Sequence, residues 1–459
     1  MKLTPLTLVL GILLTMIPLC SNAYDFKEGG LCYDINEDGK SVTLTYEIPI
    51  LIALDAPMPS EKGYTGDIVI PSKVSHDGKA YKVTSIGPMA FSANVELLSV
   101  VIPGTVTEIA ERAFTECFQL SEVTLPSSLK HIGSYAFAQC SSLKSINIPN
   151  GIKTIDEMAF HSAGLTSVTL PDGIEHISNG VFGCCRQLRE VTLGRSVKSI
   201  GESVFYICPS LTSIVLPSGL EQIGTNAFYE CGLEEVTLPQ SVSLVAAGAF
   251  SNCDRLRALR VEPGNKRYDS RDGCNAIIET ATGTLVAGCK NTVIPSTVTR
   301  IGDMAFQGCH DLTAIDIPSS VTQIGDHAFF YCTNLRQLDL PNSVTRIEAY
   351  AFCGCDSLER VTLPNSVTTI MERAFLHDDN IKSLTLGNGV KSIGEWAFMG
   401  LDALTSFTCH MPDASAVALG AEVFDEINTS ACTLVVPRGA ATSYRTAPQW
   451  SAFKRLTER

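Results

Sequence analysis

Apolar side chains return at a fixed interval along most of this chain, and a phenylalanine, usually preceded by alanine, marks each interval. Most successive members lie 23 residues apart, as Phe114 does from Phe91, and two of the intervals are 22. The series is Phe91, Phe114, Phe137, Phe160, Phe182, Phe205, Phe228, Phe250, Phe306, Phe329, Phe352, Phe375 and Phe398, with a degenerate Phe424. A stacked solenoid requires such a repeat and a globular enzyme does not, so the pattern predicts an array of coils.

Within each interval the other apolar positions keep their own spacing. After Phe137 they are Leu143, Ile146, Ile148, Ile152 and Ile155. The triplet "INI", which reads "VTL" or "IDI" elsewhere, predicts a short strand with two inward side chains, and the proline that usually follows ends it. The next segment, "SIGxxAFxxC", predicts a compact turn or a short helix. The sequence therefore predicts an α/β repeat solenoid of about 14 coils, each of 23 residues.

The cysteines follow the same repeat. Nine of the 17 lie three residues after a repeat phenylalanine, at Cys117, Cys140, Cys185, Cys208, Cys231, Cys253, Cys309, Cys332 and Cys355. Equivalent side chains in stacked coils point the same way about 4.7–4.9 Å apart, whereas a disulfide needs facing β-carbons about 3.8 Å apart. We therefore expect small buried thiols in a tight corner. No CxxC or HExxH spacing supports a metal site, and no cofactor is expected.

The repeat also divides the chain into segments. A β-rich N-terminal cap is predicted for residues 24–80 and a strand-helix cap for residues 425–459. Between them, coils occupy residues 81–261 and 293–424, and residues 262–292 form an insertion. Each cap is expected because the end coil of an array would otherwise expose its apolar face.

The insertion contains "CNAIIE" and "TLVAGC" on either side of a turn, which predicts a β-hairpin. A turn centred on Ala281 and Thr282 would place Cys274 opposite Cys289, so this pair is the candidate disulfide. The candidate contact residues in the polar segment before the hairpin are Tyr268, Asp269 and Arg271. The insertion is either a projecting functional loop or a spacer that alters the curvature of the solenoid.

Residues 1–23 predict a secretory signal peptide, because a short apolar run ends in a small-x-small motif at Ala23. The run is too short, and too broken by prolines, to span a bilayer. Lipidation at Cys20 is the alternative, although Leu19 stands where a lipoprotein signal has a small side chain. The segment therefore predicts a secreted or surface-displayed protein with no transmembrane segment after cleavage.

Charge limits the class of partner. The chain carries 34 basic and 48 acidic side chains, and loss of the signal peptide removes only Lys2 from them. Such an acidic surface repels phosphate backbones and anionic lipid headgroups. We therefore do not expect nucleic-acid binding.

The units follow "LxxVxLPxxVxxIGxxAFxxCxxL" from roughly residue 82 to residue 424. This pattern resembles the BspA-like class of leucine-rich repeats, with the cysteine after Ala-Phe instead of just after the strand. The resemblance implies a secreted or surface protein of a host-associated bacterium or protist. It also implies binding to host proteins, other cells or extracellular matrix, without catalysis, and the expected partner is thus an extracellular protein or glycan.

The outward residue between the two inward strand positions is the candidate binding face. This column comprises Thr124, Asn147, Thr169, Thr192, Thr237, Asp316, Asp339, Thr362, Thr385 and Thr408, and the exceptions at the same position are Val101, Val215 and Arg260. Threonine is also favourable in strands for its own sake, so the column is either a docking face or plain strand chemistry. It carries no aromatic cluster, and therefore no hot spot can be named on it.

Candidate catalytic and metal motifs have simpler structural explanations. The segment "DINEDG" at 34–39 resembles the start of a calcium loop, but Thr45 stands at the twelfth position where a glutamate is needed, which favours a hairpin turn. Neighbouring carboxylates such as Glu234 and Glu235 point to opposite sides of a strand. No GxSxG elbow or glycine-rich phosphate loop occurs. The prediction is a non-catalytic binding protein, with a structural or assembly component of the cell surface as the alternative.

Overall fold

The computed structural model describes residues 24–46 and 63–459. The predicted signal peptide, with Cys20 and Ala23, lies outside the described residues. The described chain forms a β-solenoid of about 16 turns. Its first strands are β1 (Phe26–Glu28), β2 (Leu31–Ile35), β3 (Ser41–Thr45), β4 (Gly66–Val69), β5 (Lys73–His76) and β6 (Lys79–Ile86).

The remaining strands alternate along the coils. Those before the insertion are β7 (Leu97–Val101), β8 (Glu108–Ile109), β9 (Glu122–Thr124), β10 (His131–Ile132), β11 (Thr154–Ile155), β12 (Ser167–Thr169), β13 (His176–Ile177), β14 (Glu190–Thr192), β15 (Ser199–Ile200), β16 (Gln222–Ile223), β17 (Glu235–Leu238), β18 (Leu244–Val245) and β19 (Ala258–Val261). The insertion contains β20 (Tyr268–Asp269), β21 (Ile277–Glu279) and β22 (Thr284–Ala287). Those after it are β23 (Arg300–Ile301), β24 (Gln323–Ile324), β25 (Leu338–Asp339), β26 (Arg346–Ile347), β27 (Arg360–Leu363), β28 (Thr369–Ile370), β29 (Ser383–Leu386), β30 (Ser392–Ile393), β31 (Ser406–Cys409), β32 (Ala418–Leu419), β33 (Thr433–Val436) and β34 (Arg455–Glu458).

The coils build two parallel sheets rather than one. The first sheet, here called the strand face, runs in the sections β4-β7-β9, β12-β14, β17-β19 and β25-β27-β29-β31-β33-β34. The second runs through β6-β8-β10-β11, then β13-β15-β16-β18, then β22-β23-β24-β26-β28-β30-β32. Most strands of the second sheet are two residues long and contain the isoleucine of the "SIG" segment. The sequence predicts a compact turn or a short helix, not a strand, for that segment, because two residues are too few to show an alternating pattern.

The segment around each repeat phenylalanine, here called the phenylalanine turn, is not helical. Its N–H groups point along the solenoid axis: that of Phe91 donates to the carbonyl oxygen of Ala113 in the next coil at 2.7 Å. The residues two before and two after each phenylalanine are left-handed, as Arg112 and Glu116 are, with φ of 55° and 63°. A left-handed residue cannot continue a right-handed helix. Of the two predicted alternatives for this segment, the structure has the compact turn and not the short helix, so the architecture is a β-solenoid and the α/β label is not confirmed.

The C-terminal end contains the one α-helix of residues 24–46 and 63–459, α1 (Ala441–Thr446). Short 3-10 helices occupy Arg271–Gly273, Ala414–Ala416 and Trp450–Ala452. Tyr444 and Trp450 are buried, and the ring of Trp450 lies 4.6 Å from that of Phe424, centroid to centroid. This end of the chain thus covers the apolar face of the last coil.

The repeat phenylalanines form the core, as predicted. Their rings stack almost parallel, with centroids 4.8–5.7 Å apart from Phe91 to Phe250. A second column runs from Phe306 to Phe424 with spacings of 5.0–6.5 Å. The buried residues accordingly fall into two apolar clusters, which meet at the insertion.

The insertion is built into the stack. Its strands β20, β21 and β22 are antiparallel to one another, and β22 continues the second sheet by pairing with β23 in parallel. Tyr268, Ile277, Ile278 and Leu285 are buried. The insertion is therefore packed into the stack and does not project from it as a loop.

Gly288 joins the insertion to the phenylalanine column. Its N–H donates to the carbonyl oxygen of Ala305 at 2.8 Å, which is the bond that a repeat phenylalanine makes elsewhere. A β-carbon at Gly288 would lie 2.1 Å from Cε1 of Phe306. The absence of a side chain therefore allows the ring to pack on the backbone.

We predict that Gly288→Ala destabilises the protein by about 1–3 kcal/mol, because the added methyl group overpacks the junction. The measurement is urea unfolding followed by circular dichroism. Gly104→Ala is the matched control, since a β-carbon there meets no atom within 4 Å. Equal unfolding midpoints for the two variants would contradict the close packing of the Phe306 ring on the Gly288 backbone.

Candidate functional site

The predicted binding column lies on the strand face, in register from coil to coil. Thr169 pairs with Thr192, and Thr362 pairs with Thr385. The exposed members are Thr124, Asn147, Thr169, Thr192, Thr237, Asp316, Asp339 and Thr362, whereas Thr385 and Thr408 are half-buried. The column is a flat, mostly neutral surface of small polar side chains.

The strand face opens beside one member of this column. No strand is assigned at residues 145–148, and a shallow groove of about 320 Å³ separates this coil from the next. The polar side chains that line it belong to Ser145, Asn147, Asn150, Ser167 and Thr169. Two predicted column residues, Asn147 and Thr169, therefore face the same groove.

The three predicted contact residues of the insertion are occupied by internal interactions. Tyr268 is buried, and its hydroxyl accepts a hydrogen bond from the Val245 N–H at 3.0 Å. Arg271 Nε donates to Asp269 Oδ1 at 2.7 Å, and Thr280 also donates to Asp269. Burial alone would raise the pKa of Asp269, but these hydrogen bonds outweigh it and hold the pKa below its usual value. Tyr268 and Arg271, whose Nη1 donates to Thr297 Oγ1 at 3.1 Å, thus bond to the adjacent coils, whereas Asp269 bonds within the insertion.

The candidate disulfide is not formed. Cys274 and Cys289 are both free and buried in the structure. The hairpin begins in the expected register, with Ile278 opposite Leu285, but a β-bulge between Ile277 and Ile278 shifts the pairing by one residue. That shift displaces the two cysteines from the facing positions that a disulfide needs.

A group of aromatic and cationic side chains lies along the phenylalanine turns after the insertion. This turn-edge cluster comprises His327, Phe330, Tyr331, Tyr350, Arg373 and Trp396. Its central column is formed by the left-handed residues two positions before successive phenylalanines. Sequence reasoning missed it, although the 23-residue spacing of His327, Tyr350, Arg373 and Trp396 is a signal that could have found it.

The column is a continuous stack. The rings of His327 and Tyr350 lie 4.5 Å apart at an interplanar angle of 18°. The Arg373 guanidinium lies 5.3 Å from the Tyr350 centroid and 4.1 Å from that of Trp396. Trp396 Nε1 in turn donates to Glu422 Oε2 at 2.7 Å. Each of these side chains is half-buried, so their edges remain open to solvent.

The calcium-loop motif at 34–39 is a turn between β2 and β3, as favoured by the sequence. Asp38 Oδ1 accepts hydrogen bonds from the N–H groups of Lys40 and Ser41 at 2.8 and 2.9 Å, which hold its pKa below the usual value. Within residues 24–46 and 63–459, no group of three His, Cys, Asp or Glu side chains could hold a metal ion. In the same residues no helix has the length and apolarity to span a bilayer.

The model of the BspA-type leucine-rich repeat region matches the chain in six copies, over residues 79–188, 175–271 and 286–433. The chain belongs to the BspA-type leucine-rich repeat family. No match was found among the curated proteins.

Solved structures of this kind of repeat protein are similar to the chain. A leucine-rich cell surface protein of Faecalibacterium prausnitzii is 29% identical with a TM-score of 0.63, over 85% of this chain and 95% of that one. A leucine-rich repeat protein of Bacteroides ovatus is 22% identical with a TM-score of 0.54, over 84% and 95% of the two chains. The pneumococcal vaccine antigen PcpA is 19% identical with a TM-score of 0.55, over 95% and 98%. The last two likenesses concern the fold alone.

The BspA-type coils are also linked by their cysteines, in a series here called the thiol ladder. In eight of the nine predicted positions, all but Cys309, Sγ donates to the carbonyl oxygen of the phenylalanine in the preceding coil, as Cys117 does to Phe91 at 2.9 Å and Cys332 to Phe306 at 3.2 Å. The same contact is made by Cys140, Cys185, Cys208, Cys231, Cys253 and Cys355. The thiols therefore fill the tight corner, as expected, and also satisfy a buried acceptor.

Burial raises the pKa of the Cys117, Cys253 and Cys332 thiols to about 12. Because the thiolate is the reactive form, these thiols should resist oxidation and alkylation. Of the cysteines in the described residues, Cys184 and Cys309 are half-buried and the others are buried.

We predict that at most two thiols of the BspA-type solenoid react rapidly with Ellman's reagent, and that the rest react only in guanidinium. The measurement is the absorbance of the released nitrothiobenzoate over time. Cys184→Ser should remove part of the rapid phase, whereas Cys332→Ser should leave it unchanged. Rapid reaction of the ladder thiols in the native protein would contradict their burial.

Proposed function

We propose that this chain is an exported, non-catalytic binding protein that acts outside the cell or on its surface. In this proposal a protein partner docks on the turn-edge cluster. The observation that carries it is the stack of His327, Tyr350, Arg373 and Trp396, which displays aromatic and guanidinium edges over four successive coils. Tyr, Trp and Arg are the residues most enriched in binding hot spots.

The rigidity of the stack supports this role. Each of its side chains is held on at least one face by a neighbour, and Glu422 fixes the indole N–H of Trp396. Side chains that are already ordered lose little rotamer freedom when a partner docks. Tyr331, which is 49% exposed, extends the apolar surface next to the stack.

The packing favours a protein over a glycan as the partner. Sugar-binding aromatic residues offer a free ring face to the pyranose, whereas here the Tyr350 ring lies between His327 and Arg373. The Tyr350 ring is thus covered by a neighbour on each side and the Trp396 ring is covered by Arg373, which leaves edges and polar tips that suit side chains and backbone groups of a protein surface. A glycan partner would need another surface, such as the groove beside Asn147.

Charge indicates the character of the partner surface. The carboxylates beside the stack are those of Asp326, Glu372, Glu395 and Glu422, against the single guanidinium of Arg373. Within the cluster the balance is therefore acidic, as it is for the whole chain. A basic partner surface would complement it, and association should slow as salt is added.

The strand-face column from Thr124 to Thr408 is the second candidate surface in this proposal. It is longer than the turn-edge cluster, but its members are small polar side chains without an aromatic residue. The one arginine in the same register, Arg260, which pairs with Thr237, donates to Glu235 Oε2 at 2.7 Å. The alternative, a structural component of the cell surface, would use the open edge of β34. Arg455, Glu458 and Arg459 place charges on that edge, a common protection against edge-to-edge association.

We predict that the exported protein begins at Tyr24, because cleavage should follow Ala23. N-terminal sequencing of protein from the culture medium or the cell surface would measure this. Cys20→Ser should leave export unchanged, whereas Leu10→Arg should block it by interrupting the apolar run. A lipid-modified N-terminus at Cys20 would contradict cleavage after Ala23.

We predict that the double variant Tyr350→Ala with Trp396→Ala weakens partner binding by about 2 kcal/mol, or roughly 30-fold in Kd. The measurement is biolayer interferometry of residues 24–459 against purified matrix proteins, basic proteins and mucin. The control is Tyr206→Ala with Tyr229→Ala, which removes a stacked pair with centroids 4.8 Å apart outside the cluster.

A second variant with Thr169→Lys and Thr192→Lys tests the strand face. Loss of binding only in this variant would move the site from the turn-edge cluster to the strand face. Equal loss in the cluster variant and its tyrosine control would contradict the cluster. Absence of saturable binding to every probe, with self-association in light scattering, would favour the structural role.

A further inference from the structure

At one position of the thiol ladder an aspartate stands in place of the cysteine. Asp378 lies three residues after Phe375, at the position that cysteine occupies in the preceding coils. It is completely buried, which is exceptional for an aspartate. It is therefore the buried polar side chain of the core that most needs an explanation.

A ladder thiol has two functions that a substitute must reproduce. Its Sγ accepts a hydrogen bond from a backbone N–H of the preceding coil, as Cys140 does from Cys117. Its S–H donates to the phenylalanine carbonyl oxygen of that coil, as Cys355 does to Phe329 at 3.2 Å. A cysteine is both donor and acceptor, whereas an ionised aspartate only accepts.

Asp378 reproduces the first function directly. Its Oδ1 accepts a hydrogen bond from the Cys355 N–H at 2.7 Å. Its Oδ2 is buried without any hydrogen-bond partner in the described structure. The corresponding acceptor is the carbonyl oxygen of Phe352. Among the described backbone groups, only the Cys355 N–H donates to it, at 3.2 Å, and no thiol donates to it as one does to the equivalent phenylalanine carbonyls of the thiol ladder.

We infer that Asp378 is a neutral carboxylic acid in the folded protein and that its Oδ2–H donates to the carbonyl oxygen of Phe352. The acid thereby completes the ladder in the only protonation state that supplies a donor. It follows that the solenoid has a pH-sensitive rung between Phe352 and Phe375. An ionised oxygen in the same place would be a buried charge facing a carbonyl oxygen.

On balance, the surroundings of Asp378 disfavour its ionised form. The charged groups nearest to Asp378 are Asp356 in the preceding coil and Asp379 beside it in the chain. His377 lies closer to Asp379, with Nδ1 3.9 Å from its Oδ1, and Asp402 adds a further carboxylate from the next coil. Burial, followed by the carboxylates of Asp356 and Asp379, raises the pKa of Asp378 well above its usual value, against hydrogen bonds from the Cys355 and Gly354 N–H groups, which lower it.

The sign of the pH effect follows from the direction of this shift. An acid whose pKa is raised by folding contributes stability that is fully present below about pH 4, the ordinary carboxyl pKa. That stability is lost as the pH rises through the raised pKa of the folded state. Because Arg373 and Asp378 flank the same Phe375, ionisation should loosen the coil at the centre of the turn-edge cluster, a consequence that rests on the proposed function.

The test compares the wild type with Asp378→Asn and Asp378→Cys, each of which keeps a donor and an acceptor without a titrating carboxyl group. In the wild type the unfolding equilibrium constant should rise by up to about tenfold per pH unit between the two pKa values of Asp378. Both variants should lose that component. The readouts are urea unfolding midpoints across the pH range and the infrared carbonyl band of a protonated carboxyl group at neutral pH, so neither needs a binding partner.

Asp402→Asn is the matched control, since Asp402 is an exposed carboxylate of the next coil. It should keep both the infrared band and the pH dependence. If Asp378→Asn fails to fold, the wild type is compared with Asp378→Cys alone, because that variant has the cysteine found at this position in the other coils of the thiol ladder. Absence of the band in the wild type at neutral pH, or an unchanged pH dependence in a folded variant, would overturn the inference.

Discussion

The structure depends on the contact between successive phenylalanine turns. At each turn a ring stacks on the ring of the next coil, and N–H groups of the same segment donate to carbonyl oxygens of that coil. A single coil cannot bury its apolar side chains, so neither interaction exists without a neighbour. Each repeat phenylalanine consequently fixes the position of its coil along the solenoid axis, and the strands of successive coils are thereby aligned into the two sheets.

This constraint explains how the surface can vary while the interior does not. The inward positions must match the coil before and the coil after, whereas a residue two positions before a phenylalanine only needs to tolerate a left-handed backbone. That position is a methionine at Met304, an aromatic residue at Tyr350 and Trp396, and glycine at Gly180. Side chains at this position in successive coils lie within stacking distance of each other because they are one repeat apart. A binding surface can thus be assembled by substitutions that leave the core untouched.

Much of this architecture could be predicted from the sequence because the residues that build it recur at a regular spacing. The buried phenylalanines, the thiols and the in-register polar column all repeat every 22 or 23 residues, and the structure has them as expected. The second sheet and the left-handed turns could not be predicted, since a two-residue strand has no alternation and a positive φ at Arg112 or Glu116 has no signal in residue type. The disulfide prediction failed because one β-bulge changed the register of a hairpin that was otherwise placed correctly.

The irregular positions show what the stack actually requires. At the insertion no phenylalanine turn is present, yet Gly288 supplies the N–H that bonds to Ala305, and Asn252 bonds across to Gln307 at 2.9 Å. At Asp378 no thiol is present, yet the carboxyl group accepts from Cys355 as a thiol would. In each case a different residue replaces the missing one and keeps the hydrogen bond between the coils. Each coil therefore needs a hydrogen-bond donor or acceptor at these positions, and the type of amino acid that supplies it can vary. For this reason the array continues through the insertion, although the phenylalanine repeat is interrupted there.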